Sequence, residues 1–343
     1  MTTKKLGRQT VALAHPPSVA GHANVVGKKE GEGPLADSFD QINQDDSFGE
    51  KTWEKAETAM QKLALSSALD KAGLSASALD YILAGDLLNQ CIGSGFAVRG
   101  QDVPFFGLYG ACSTMAESLC VASTFIEGGV AQKVVACTSS HFCTAERQFR
   151  FPLEYGGQRT PTAQWTATAS GAAVLQNGDV PPFVRAITVG TIEDLGVTDA
   201  NNMGAAMAPA AAMTIKHFFE DTGKKPEEFD LIITGDLGKV GSSLLADLLR
   251  RDGIDLGDRQ SDCGLLLYDL EKQDVHAGGS GCGCSASVLC GHLLPQMREG
   301  KLHNILFIAT GALMSPTVVQ QGESIASIAH LVCLSTQKSG GVF

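Results

Sequence analysis

The sequence predicts an α/β protein built twice, with helices layered around two mostly parallel central sheets. Three observations predict this. Helical and strand periods alternate along the chain. A Gly-Asp pair closes an equivalent strand in each half, at Gly85-Asp86 and Gly235-Asp236. A cysteine-bearing helix start also recurs at a constant offset of 172 residues. Strands alternating with helices give parallel neighbours in a sheet covered on both faces. The 343 residues, 44% hydrophobic and only 18% charged, suffice for a buried core without disulfide or metal staples.

The elements follow in order. Ala56 to Ala72 reads as an amphipathic helix stopped by Gly73, and LDYILAGDLL (Leu79 to Leu88) as the strand after it. GACSTMAES around Cys112 opens a helix ending at Glu127-Gly128-Gly129, followed by the strand KVVACTS (Lys133 to Ser139). In the second half, Ala210 to Glu220 reads as a helix and FDLIITGDLG (Phe229 to Gly238) as its strand. CGCSASVLC around Cys284 opens a helix ending at Glu299-Gly300, followed by the strand NILFIATG (Asn304 to Gly311). The same order twice predicts halves at 1–180 and 181–343, the first with a pocket-covering insertion at about 141–170. A pseudo-dyad between them would bring Cys112 and Cys284 close together at facing helix starts.

Composition excludes several classes. Lys+Arg 26 against Asp+Glu 37 leaves a net charge of -11, with no basic stripe for nucleic acid. The N-terminal MTTKKLGRQTVALAH lacks the apolar stretch of a signal peptide. The charge-free stretch from Val275 to Met297 is rich in Gly, Ser and Cys rather than apolar throughout. An intracellular chain with reduced thiols is expected, and any membrane role is peripheral. Cys282 and Cys284 lack zinc-knuckle spacing, so neither a metal nor a cofactor is expected.

The duplication, with a Cys in G-A-C-S-T at a buried helix start, resembles the thiolase-like fold shared by thiolases and ketoacyl synthases. The resemblance spans nearly the whole chain and puts Cys112 at the position of the acyl-accepting nucleophile. A helix start favours a thiolate there. The family's partners are a His after a strand of the C-terminal half and a His or Asn in the last glycine-rich loop. Here those places read Gly235-Asp236-Leu237 and GGSGCGCSA (Gly278 to Ala286), with neither residue. Of the eight histidines, only His141 ends a strand at the sheet edge that should face the pocket. A catalytically inactive, ligand-binding protein is therefore expected. A divergent acyltransferase or ketoacyl-synthase-like enzyme using Cys112 is the alternative.

Four segments narrow the resemblance: KEGEGPL (Lys29 to Leu35), GDLLNQ (Gly85 to Gln90), SSHFCTAERQFRFPLEYG (Ser139 to Gly156) and TAQWTATASGA (Thr162 to Ala172). Together they resemble the stage V sporulation protein AD family. That resemblance implies a thiolase-fold protein that binds dipicolinic acid. It implies the soluble component of a spore membrane channel complex, supporting uptake into the developing spore and release at germination. It also implies a peripheral place at the spore inner membrane, integral membrane partners, and a possible homodimer.

The insertion's residues suit such a ligand. Arg147, Arg150 and Arg159 lie among Phe149, Phe151, Tyr155 and Trp165. Guanidinium groups match planar carboxylates, and aromatic faces match a flat heteroaromatic ring. The other reading is a loop packed over the core, with Arg paired to Glu146 and Glu154. Asp86 and Asp236 end equivalent strands, where they could join a calcium dipicolinate chelate or simply bond nearby loops. Asn202 and Met203 start a helix that could face the same cavity. The candidate ligand-binding set is Cys112, His141, Arg147, Arg150, Trp165, Asp86, Asn89 and Asn202.

Overall fold

The computed structural model describes residues 3–149 and 158–340. The first half runs β1 (Ser18–Val26), α1 (Trp53–Ala72), β2 (Tyr81–Gly85), α2 (Ile92–Val98) and β3 (Phe105–Gly107). It continues through α3 (Thr114–Glu127), β4 (Lys133–Ser140), α4 (Phe142–Phe149) and β5 (Ala169–Gln176). The second half runs β6 (Phe183–Thr188), α5 (Met203–Thr222), β7 (Leu231–Thr234), α6 (Gly238–Arg251) and β8 (Gln260–Asp262). It ends with α7 (Cys282–Val288), β9 (Asn304–Ala312) and β10 (Ser327–Ser335).

The two halves share one topology. Strand order is β3-β2-β4-β5-β1 in the first and β8-β7-β9-β10-β6 in the second. β2 is parallel to β3 and β4, whereas β5 is antiparallel to both of its neighbours, so four of five strands share a direction. The second half repeats this with β10 as the reversed strand. One residue pair, Phe183 with Ser18, joins the two sheets edge to edge. Residues 10–12 cross over to pair with β6, so the two halves are interwoven at their shared edge.

Side-chain alternation along the strands builds three apolar layers. On β4, Val134 and Ala136 enter the central layer, while Val135 and Cys137 enter an outer layer with Met60, Ala64 and Ala68 of α1. On β9, Ile305 and Phe307 enter the same central layer, while Leu306 and Ile308 face Ile215 and Phe218 of α5. The central layer therefore lies between the sheets and is filled by α3 and α7, with Met115, Leu119, Cys284 and Val288 among its members. Gly73 ends α1 at φ 67, and Leu74 N–H returns to Leu69 O at 3.0 Å, closing the helix where the sequence places its stop.

Candidate functional site

The site forms where the two central helices begin. A Cβ on Gly311 would sit 2.1 Å from Gly110 O, so only glycine lets β9 approach the turn that carries Cys112. Ala111 holds that turn at φ 50, in the left-handed region that L side chains rarely adopt. Cys112 emerges buried, at 5% exposure, just ahead of α3. It lies within reach of the charge of Asp236, just past the end of β7 in the opposite half.

This environment opposes a thiolate. Burial, then the Asp236 charge and Cys282, push the Cys112 thiol well above its ordinary pKa. The helix start, from which a thiolate is expected, is outweighed. Asp236 is itself fully buried. Its Oδ2 accepts Gly281 N–H at 2.8 Å and Ser280 Oγ at 3.2 Å, and its Oδ1 accepts Thr310 Oγ1 at 2.8 Å. Burial raises its carboxyl to about 6 against these hydrogen bonds.

The first half keeps a counterpart. Asp86 ends β2, is buried, and accepts Leu88 N–H at 2.9 Å and both Ser94 N–H and Oγ at 2.7 Å. Beside it, Glu57 accepts Ser139 Oγ at 3.0 Å and Thr144 Oγ1 at 2.7 Å. Burial, then the Asp86 charge, raises Glu57 to about 8. Cys282 donates to Ser139 O at 2.9 Å and packs with Leu87, Ala111, Cys112 and Ala145. Cys282, rather than Cys284, is thus the second-half cysteine packed against Cys112. Cys284 points to Gly235 O.

A narrow pocket of about 30 Å³ opens beside the Cys112 thiol, walled by Tyr109, Phe149 and Thr166 on one side and by Met203, Ser280 and Met314 on the other. That is about one water's share of liquid. Both halves contribute to it, and none of the eight histidines lines it.

The other residues singled out in the sequence lie elsewhere. His141 is buried, with Nε2 2.8 Å from Asp46 O and its ring 5.5 Å from Trp53, so a loop before α1 holds it. Arg147 pairs with Glu54 and lines a surface groove with Trp53 and Lys51. Trp165 stacks on Phe142 at 3.7 Å, outside the Cys112 pocket. Asp86 is sealed within its own half. Asn89 is exposed and its N–H donates to Gln148 Oε1 at 3.1 Å. Asn202 caps α5, accepting Ala205 N–H at 3.4 Å, while its neighbour Met203 enters the pocket wall. Arg150 lies outside the described residues. Among the described residues no group of three or more His, Cys, Asp or Glu is arranged to hold a metal ion.

Glu57 was open to discovery, since it falls on the apolar stripe of α1 between Trp53 and Met60. Tyr109 carries no such signal: it sits in an irregular stretch and reaches the pocket only because Gly110 packs on β9.

Solved structures share this architecture. A 3-oxoacyl-[acyl-carrier-protein] synthase III from Aquifex aeolicus VF5 superposes with TM-score 0.57 at 16% identity, covering 93% of this chain and 99% of its own. A variant of OleA from Xanthomonas campestris gives 0.58 at 13% identity, covering 97% and 99%. At such identities these matches establish the thiolase-like fold and nothing about chemistry. Sequence relationship is closer to the stage V sporulation protein AD of Bacillus subtilis (strain 168), 46% identical over 98% of this chain and 99% of the relative. Residues 7–335 also match the family described as Stage V sporulation protein AD (SpoVAD). A duplicated thiolase-like fold, a cysteine at the central helix start that faces an aspartate instead of a histidine, and this match along almost the whole chain lead to one assignment: the protein belongs to the stage V sporulation protein AD family.

Proposed function

We propose that this sporulation protein binds dipicolinic acid, free or as its calcium chelate, in the pocket beside Cys112, and that it does so without acyl-transfer chemistry. The observation that carries this reading is the burial of Cys112 at a pocket wall, near the charge of Asp236. A thiol held protonated by burial and by a neighbouring carboxylate is a poor nucleophile. The thiol instead forms part of a pocket wall, with Asp236 buried behind it. Asp236 and Glu57, both buried behind that wall and raised to about 6 and about 8, keep the surroundings of the pocket low in negative charge when protonated, which favours an anionic ligand. Calcium entering with the ligand would bring the ligand's own oxygen and nitrogen donors.

A pyridine ring with two carboxylates is several waters in size, so binding requires Phe149 and Tyr109 to swing outward. Tyr109 is already 41% exposed. In this reading the chain is the soluble component of a spore channel complex. It supports uptake of dipicolinic acid into the developing spore and release at germination, and integral membrane partners hold it at the spore inner membrane. No helix among the described residues is long and apolar enough to cross a membrane, which fits attachment through partners. A second copy pairs along the exposed β3 edge, where Phe105 and Phe106 are 36% and 44% exposed.

Calorimetric titration of the purified chain with dipicolinic acid, with and without calcium, tests the binding. Saturable heat that Phe149→Ala and Cys112→Ala both alter supports the site, and heat unaffected by either refutes it. Intact-mass spectrometry after incubation with acyl-coenzyme A thioesters tests the chemistry. One acyl group per chain on Cys112 would establish the acyltransferase alternative. Fractionation of spores lacking the membrane partners should move the protein to the soluble fraction, and persistent membrane association counts against attachment through partners.

A further inference from the structure

Three separate segments converge on the Trp165 indole. Phe142 stacks on it with ring centroids 3.7 Å apart and planes 10° from parallel. Lys29 Nζ stands 3.8 Å from the indole centroid, and Arg159 Cζ lies 4.7 Å from it. Lys29 comes from the KEGEGPL segment and Trp165 from TAQWTATASGA, two motifs that the Cys112 pocket does not use. Two like charges thus share one small aromatic surface in a chain whose net charge is -11.

Among the described residues, Asp274, Glu30 and the exposed Glu32 are the acids near Lys29. Asp274 accepts Arg159 Nη2 at 2.9 Å and also meets His276 Nε2 at 3.0 Å, but its side chain is 73% exposed while that of Arg159 is 17% exposed. Glu30, next to Lys29, is occupied by Tyr268 Oη and Thr168 N–H. Burial, then Arg159, lowers the Lys29 pKa. Arg159 Nη1 is buried, with no acceptor among the described residues and no open surface. Nη2 is held by the Asp274 carboxylate and Asp274 O, and an oxyanion replacing that exposed carboxylate would make a charge-assisted bond to the same guanidinium.

We propose that Lys29, Arg159 and Trp165 form a binding site for a small oxyanion, a carboxylate or a phosphate, with one oxygen on Arg159 Nη2 in place of the exposed Asp274 carboxylate and another on Lys29 Nζ against the indole. The site is distinct from the Cys112 pocket and does not rest on the reading given for it. Thr166 lines that pocket, and successive residues of the short strand Trp165–Thr166 face opposite ways.

The test uses the full chain carrying Trp53→Phe, which leaves Trp165 as its one tryptophan. Indole emission is followed while sodium acetate or sodium phosphate replaces sodium chloride at constant ionic strength. A saturable response to either anion is expected, weakened at least about tenfold by Arg159→Gln and by Lys29→Gln. Asp274→Asn should tighten it severalfold, because the competing carboxylate is gone. A purely structural stack predicts no such gain. Response to acetate alone identifies a carboxylate site, and response to both identifies a general oxyanion site. No saturation beyond the chloride control, or saturation unchanged in the Lys29, Arg159 and Asp274 variants, overturns the proposal. Asp274→Asn alters an exposed side chain, so the test stands even if Arg159→Gln folds poorly.

Discussion

Asp236→Asn isolates the energetic cost of the buried carboxylate beside Cys112. Asp236 titrates at about 6 in the folded chain against an ordinary 3.8, because burial penalises its charge. A raised acid pKa means the folded state holds the proton more tightly. This contribution is therefore fully present below about pH 4, declines as pH rises, and is lost above about pH 6. The total shift is worth about 3 kcal/mol. By about pH 4.5 roughly a third of it has gone, which leaves about 2 kcal/mol to be lost between there and about pH 7.5. Asparagine carries no charge, and its oxygen can take the Gly281 N–H while its amide faces Thr310 Oγ1. The variant should therefore gain about 2 kcal/mol on the parent over that interval. Urea unfolding of both proteins at the two pH values measures the difference. Contributions from Glu30 and Glu57 largely cancel because both proteins share them, whereas Asp262, whose charge acts on Asp236, adds to the difference. A relative gain under about 0.5 kcal/mol, or one of opposite sign, refutes the claim that burial dominates at Asp236 and weakens the case for a protonated Cys112.

Gly311→Ala should destabilise the fold by roughly 1–3 kcal/mol, because its Cβ meets Gly110 O. It should also change Cys112 labelling by a maleimide, read by mass spectrometry, whereas an unchanged melting temperature would mean the turn has slack. Arg147→Ala removes a half-exposed pair with Glu54, so urea unfolding should show a loss of no more than about 1 kcal/mol and calorimetry unchanged dipicolinic acid binding. A tenfold loss of binding would return Arg147 to the site. Phe106→Lys places a charge on the exposed β3 edge and should shift the protein toward monomer in light scattering, and an unchanged mass would exclude that edge as the contact.

The duplicated fold was legible because its signals are local. Gly73, Gly128 and Gly300 mark helix ends, and Gly-Asp marks strand ends in both halves. The apolar runs of β4 and β9 sit on matching positions. The site was legible only at Cys112, where a helix start and a recurring motif coincide. The other assignments depended on partners far away in sequence. His141 is claimed by Asp46 O and Arg147 by Glu54, both upstream of α1 or on it. Trp165 turns from the pocket because its neighbour Thr166 faces it, and the parity of a two-residue strand cannot be read from two residues. The influence of Asp236 on Cys112 crosses between halves, so no spacing within either half announces it.

The pairing of each half's acid with the other half's cysteine bears on how such a chain could have arisen. The Asp236 charge is felt by Cys112, and the charges of Glu57 and then Asp86 by Cys282. Two identical copies about a dyad would have owned two equal chambers, each assembled from both partners. Joining them into one polypeptide frees the chambers to diverge, since a substitution then alters one without the other. Here both acids are buried and bonded, Asp86 by Leu88 and Ser94 and Asp236 by Gly281 and Thr310, while an opening remains beside the Cys112 thiol. The opening beside Cys112 takes its walls from both halves, so neither half expressed alone would possess it, and the smallest unit that selection can act on at this site is the whole fused chain.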